Sequence, residues 1–167
     1  MTNLLPVPVA LALGSNLGDR FASLRKAVEA LASCVEISSA SPVYETAPAY
    51  VTDQPAFLNA AVIGTTKLEP LPLLWALKNI ERDVGRTPTF RYGPRVIDID
   101  IIFYGDTILE TPELILPHPR VFERDFVLKP LADIAPSWKH IKLGKTVTEM
   151  LAALPSNTLS CLGSLLP

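Results

Sequence analysis

An α+β sandwich, with helices packed on an antiparallel sheet, is the fold class this sequence predicts, and three observations carry the prediction. Short apolar runs with the period of a strand alternate with longer stretches whose apolar residues recur at helical spacing. Their order is strand, helix, strand, strand, helix, strand, the split β-α-β order of a ferredoxin-like sandwich. Apolar residues make up 49% and charged residues 19% of 167, enough for one substantial core. The sixteen prolines are spread along the whole chain and mark no linker, so a single domain over residues 1–167 is expected.

Each element has its own local reason. Val7 to Leu13 suits a buried strand, closed by Gly14-Ser15-Asn16. Asp19 can cap a helix from about Arg20 to Ser33, with Phe21, Leu24, Val28 and Leu31 forming its apolar stripe. Val35 to Tyr44 reads as a second strand, which Pro42 confines to an edge or a bulge. A polar loop covers Glu45 to Pro55, and Phe57 to Thr65 is a third strand. Glu69-Pro70 opens a second helix with Leu71, Leu74, Trp75, Leu77 and Ile80 on its apolar side, and Gly85 ends it. Val96 to Phe103 is the clearest strand, and Tyr104-Gly105-Asp106 turns it toward a short partner at Thr107 to Glu110. Residues 137–167 form an appendage containing a capping-box helix start at Thr146 and Glu149. From Ser156 onward a surface strap or frayed end is expected.

Composition excludes several classes of function. The formal net charge is −2, which argues against a general nucleic-acid binder. No run of 18 apolar residues is present, and Met1 to Pro8 lacks the pattern of a secretory signal. Cys34 and Cys161 lack metal-ligand spacing and suit free thiols in a reducing compartment. A cytoplasmic protein with no membrane or nucleic-acid partner, and a monomer, is expected.

Three stretches carry chemistry. In Ile97-Asp98-Ile99-Asp100-Ile101 a strand would turn the isoleucines to the core and both carboxylates to the other face, roughly 6.6 Å apart at Cα. Such a pair suits a hard divalent cation, although an acidic solvent face would look the same. Six of the eight arginines fall at 82, 86, 91, 95, 120 and 124, and no lysine lies between Asn79 and Leu128. Arginine used so consistently suggests bidentate phosphate contacts, with surface ion pairs as the plain alternative. The loop from Arg86 to Arg95, with its glycines and prolines, suits closure over a ligand. Thr46-Ala47-Pro48 and Phe57-Leu58-Asn59 form the third stretch. There Phe57 and Asn59 share a strand face that fits a flat heterocycle, or else a core ring and a capping amide.

Other motifs fail. Gly14-Ser15-Asn16-Leu17-Gly18-Asp19 matches neither phosphate-binding glycine signature, and Ser15 lies in no nucleophile elbow. His118 and His140 lack zinc-site neighbours, and His118 sits stiffly between Pro117 and Pro119.

Taken together these stretches resemble the 6-hydroxymethyl-7,8-dihydropterin pyrophosphokinases of the folate pathway. The likeness runs from Leu11-Ala12-Leu13-Gly14-Ser15-Asn16-Leu17-Gly18 through Ser41-Pro42-Val43-Tyr44-Glu45-Thr46, Asp53-Gln54-Pro55 and Phe57-Leu58-Asn59. It continues through Tyr92-Gly93-Pro94-Arg95-Val96-Ile97-Asp98-Ile99-Asp100-Ile101, Leu116-Pro117-His118-Pro119-Arg120 and Arg124-Asp125-Phe126-Val127-Leu128. About residues 9–136 are covered.

The resemblance implies transfer of the β,γ-pyrophosphoryl group of ATP to the pterin hydroxymethyl, with AMP released. Asp98 and Asp100 would hold two Mg²⁺ ions, and Arg86 and Arg95 would grip phosphate oxygens as catalytic groups. Glu81, His118, Arg124 and the backbone of Ile101 would border the nucleotide. Phe57 and Phe126 would sandwich the pterin, Thr46, Ala47 and Asn59 would line its polar edge, and Tyr92 would cover it. No general base stands out. Ala49-Tyr50 stands where the family usually has a larger apolar residue and Gly. A chain of this length is expected to lack the dihydropteroate synthase or aldolase domain fused in some members. A nucleotidyltransferase and a non-catalytic ligand sensor are the rivals. The first needs Gly-Ser nearer its acids than Gly14 is to Asp98, and the second leaves the arginines and acids without a task.

Overall fold

In the computed structural model, which describes residues 5–156 and 159–166, β1 (Val7–Ser15) is the strand around which the rest is built. Its run of small and branched apolar residues is buried on both faces. β4 (Phe57–Thr66) lies antiparallel on one side of it and β5 (Asp98–Tyr104) on the other. β2 (Glu36–Ala40) and β3 (Pro42–Thr46) both pair with β4, and β8 (Ser160–Ser164) adds to β3, so the order is β5-β1-β4-β3-β8. This is a ferredoxin-like fold with an extra strand.

Two apolar layers follow from strand alternation. Val9, Leu11 and Leu13 face α1 (Arg20–Leu31) and α2 (Pro70–Val84), together with Ile97, Ile99 and Ile101. Ala10, Ala12 and Ala61 face α3 (Asp125–Ile134) and α4 (Val147–Ala152), where their small size admits Val127, Leu128 and Leu131. Asp19 caps α1 through Ala22 N–H, Gly85 ends α2 at φ 127°, and the Thr146–Glu149 capping box starts α4.

The structure corrects four expectations. Trp75 is 58% exposed, because α2 buries Leu73, Leu77 and Ile80 and position 75 falls on the opposite ridge. The second strand is broken at Ser41, whose hydroxyl accepts the Ala61 N–H at 2.8 Å. β6 (Leu109–Glu110) pairs with β7 (Ile115–Leu116) and not with β5, whose outer edge is met by Glu81 and the His118 backbone. The C-terminal stretch supplies strand β8 and buries Leu165, where the sequence predicts a surface strap or frayed end; positions 157, 158 and 167 lie outside the described residues.

Candidate active site

The sheet face covered by α3 and α4 is left bare at the C-terminal end of β1, and a cleft of about 870 Å³ opens there. Register explains its floor. Gly14 stands between Asn59 on β4 and Asp98 on β5, and Ala12 stands between Ala61 and Asp100. Amide and carboxylate therefore sit two strand spacings apart, roughly 10 Å, on one face with only small residues between them. A Cβ at Gly14 would come within 3.2 Å of Asn59 Oδ1, so glycine keeps the floor open. Every residue predicted for the site lines this cleft except Ile101. The Ile101 side chain lies in the core beside Leu11 and Leu13, which leaves only its backbone available.

The acidic end is crowded with charge. Arg86 Nη1 donates to Asp98 Oδ1 at 2.7 Å and to Glu81 Oε2 at 2.9 Å. Glu81 reaches β5 from the last turn of α2, accepts the Ile99 N–H at 2.7 Å, and pairs its other oxygen with Lys78 at 3.1 Å. Burial raises the Glu81 carboxyl above its ordinary range. Burial pushes Asp98 the same way, but Arg95 and Arg86 outweigh it and hold its carboxyl low. The Asp100 side chain has no hydrogen bond or ion pair among the described residues, and burial beside Asp98 pushes it up to about 7. A desolvated acceptor next to an ionised one is a good seat for a hard cation. No group of three His, Cys, Asp or Glu side chains converges as a metal site among the described residues. Two carboxylates with phosphate oxygens and water would complete such a shell, as Mg²⁺ sites commonly do.

His118 is tied to β5 by its N–H to Ile102 C=O at 3.0 Å. Its Nδ1 accepts the Arg120 N–H at 3.1 Å, which places the ring proton on Nε2. Burial and the nearby Arg124 bring its pKa down to about 4, so at neutral pH the ring is an uncharged donor.

The other end is aromatic and amide-lined. Asn59 Nδ2 donates to Thr46 Oγ1 at 2.7 Å, an arrangement that leaves the Asn59 carbonyl oxygen free of that bond. Phe57 lies under the Arg95 guanidinium at 4.8 Å, and Phe126 opens α3 beside Arg124. Tyr92, at φ 58°, stacks on Tyr50 with ring centres 4.4 Å apart. Arg120 donates to the Tyr92 hydroxyl at 2.7 Å and Arg124 Nε to the Tyr50 hydroxyl at 3.1 Å. The two tyrosines form a roof made by two loops. Those loops are clasped by Asn16, which donates to Gln54 Oε1 at 2.8 Å and accepts the Arg95 N–H at 2.8 Å, and by Gln54, which donates to Tyr92 C=O at 2.8 Å. Asn16, Gln54 and the structural part played by Tyr50 escaped sequence reasoning. Their partners lie 38 to 79 positions away, and no spacing rule links them.

Residues 10–136 match the family described as 7,8-dihydro-6-hydroxymethylpterin-pyrophosphokinase. The mitochondrial folate synthesis bifunctional protein of Pisum sativum is 53% identical over 127 residues, 75% of this chain and 25% of that protein. The 2-amino-4-hydroxy-6-hydroxymethyldihydropteridine pyrophosphokinase of Aquifex aeolicus is 42% identical over 151 residues, 90% of this chain and 92% of that one. The chain spans about a quarter of the length of the plant relatives it matches. Among solved structures, Plasmodium falciparum HPPK-DHPS with pteroate superposes with a TM-score of 0.75 over 91% of this chain and 43% of that one. Its 19% identity makes it a likeness of fold.

Proposed function

Because the chain belongs to the 7,8-dihydro-6-hydroxymethylpterin-pyrophosphokinase family, we propose that its cleft transfers the β,γ-pyrophosphoryl group of ATP to 6-hydroxymethyl-7,8-dihydropterin, in folate synthesis. The observation that carries this is the row Asn59, Gly14, Asp98 across three strands. It sets the Asn59 amide beside paired carboxylates with an open floor between them, which supports reading the amide as the heterocycle's partner.

In this reading Phe57 and Phe126 hold the pterin ring, and Asn59, Thr46 and Ala47 take its polar edge. Tyr92 covers it. Asp98 and Asp100 hold two Mg²⁺ ions, which when bound would neutralise charge on the triphosphate. His118 offers its Nε2–H, and Arg124, Glu81 and the Ile101 backbone border the nucleotide. Arg95 and Arg86 bring guanidinium N–H groups to phosphate oxygens. Transfer of this kind is governed by positioning and charge neutralisation, so a dedicated base is not required. The two free cysteines suit a reducing, cytoplasmic setting, and among the described residues no helix is long and apolar enough to cross a membrane. A monomer suffices, since one chain supplies every group named.

Product analysis with ATP, Mg²⁺ and the pterin tests the proposal. AMP should appear in step with pterin diphosphate. ADP would mean transfer of a single phosphoryl group, and free pyrophosphate would mean nucleotidyl transfer.

A further inference from the structure

A single nitrogen, Arg86 Nη1, serves two carboxylates at once: Glu81 Oε2 at 2.9 Å and Asp98 Oδ1 at 2.7 Å. Lys78 and Arg95 reach only the far oxygens, at 3.1 Å on Glu81 and 3.4 Å on Asp98. Arg86 is therefore the one cation placed between Glu81 and Asp98 among the described residues. The Glu81 side chain is only 3% exposed, so leaving that gap uncompensated would be costly. Arg95 is held differently. It lies over Phe57 and bonds Gly93 C=O at 2.8 Å, so it has anchors apart from the acids. Arg86 follows directly on Gly85, whose φ of 127° ends α2 and starts the loop. It sits where helix α2 hands over to the loop that runs on to Arg95.

We propose that Arg86 is the resident counter-cation of this acidic cluster, occupying the Asp98 oxygen that an arriving divalent cation needs and giving it up when that cation binds. The inference rests on the reading above that Asp98 and Asp100 hold metal. A guanidinium and a divalent ion repel each other across one oxygen, so Arg86 and the metal compete for Oδ1. The exchange keeps the cluster compensated before and after, and it frees the guanidinium for phosphate oxygens only once the metal is in place. Arg86 thus senses metal loading as well as gripping substrate.

The test uses Mn²⁺ without nucleotide, with free ion counted by electron paramagnetic resonance. If Arg86 holds Asp98 most of the time, Arg86→Gln should bind Mn²⁺ roughly tenfold more tightly than the parent, and Arg86→Lys should stay near the parent. Equal or weaker binding by a folded Arg86→Gln overturns the proposal. A measurement on the unaltered protein covers failure of the variant to fold. Saturating Mg²⁺ should move the Arg86 Nε–H resonance, and an unmoved signal overturns the proposal equally. Mn²⁺ binding that is lost in Asp98→Ala but indifferent to Arg86 sinks this inference alone. Binding indifferent to Asp98 sinks the metal reading with it.

Discussion

The two ends of the cleft are built on opposite principles. At the acidic end Asp98 and Asp100 ride on β5 and Glu81 on α2, elements locked by the sheet ladder and by the buried isoleucines behind them. At the aromatic end the roof of Tyr50 and Tyr92 belongs to loops, held by hydrogen bonds from Asn16 and Gln54 and by two arginines. Charge chemistry needs donors and acceptors fixed within a fraction of an ångström, so it is placed on rigid scaffold. In the proposed reading the roof opens for substrate, and it is built on loops tied by a few side-chain hydrogen bonds and ring contacts in place of a sheet ladder. Between them Gly14 and Ala12 form a floor shared by both.

Breaking the rigid end should cost most. Asp98→Ala should lower pyrophosphoryl transfer by about a thousandfold or more while pterin affinity, read by fluorescence titration, stays within about threefold. Comparable losses in both would mean that the ends are not separable. Arg95→Ala comes next, with kcat down about a hundredfold and ATP affinity changed far less, if its phosphate contact matures in the transition state. Steady-state kinetics beside equilibrium ATP binding reads the difference, and equal losses would point to ground-state binding alone.

At the roof the effects should be smaller and fall on binding. Tyr50→Gly removes both the ring stack and the hydroxyl bond to Arg124, and should raise the pterin KM about five- to tenfold with kcat little changed. Tyr50→Phe keeps the stack and should stay within about twofold of the parent. A Tyr50→Phe variant as impaired as Tyr50→Gly would shift the weight from the ring to the hydroxyl.

The smallest expected effect is one of stability. Asp100 is pushed up to about 7 by burial and by Asp98, against an unfolded value near 3.9. The folded protein therefore binds the extra proton across that interval, and stability falls as pH rises through it. Asp100→Asn removes the penalty. It should melt higher than the parent at pH 8, by on the order of 1 kcal/mol after allowance for solvent screening, and the gap should close by pH 4. Equal melting at both pH values would mean that Asp100 carries no such burden in the folded protein.

The same contrast explains what could be read from the sequence. β5 was legible because alternation alone sends Ile97, Ile99 and Ile101 to the core and both aspartates to the cleft. Helix α1 was legible through its cap and stripe. Helix α2 is legible too, but its apolar pattern points Trp75 at the core, a place that fully buried Leu73 holds. β8 was missed because five exposed residues give no amphipathic signal, and its strand identity comes from pairing with β3. The pairing of β6 with β7 depends likewise on where the chain returns. In the candidate site, Asp98, Asp100, Arg86, Arg95 and Arg124 stand out in the sequence by type and spacing, and the structure brings them to one cleft. The Tyr50–Tyr92 stack and the Asn16–Gln54 clasp are meetings of distant loops, and nothing local distinguishes those residues from ordinary turn and surface positions.

A crystal structure with Mg²⁺, a non-hydrolysable ATP analogue and the pterin bears most directly on the central claim. It should show metal bound to carboxylate oxygens of both Asp98 and Asp100 and to phosphate oxygens, with the pterin between Phe57 and Phe126. Aspartates free of metal and turned from the triphosphate would contradict the account.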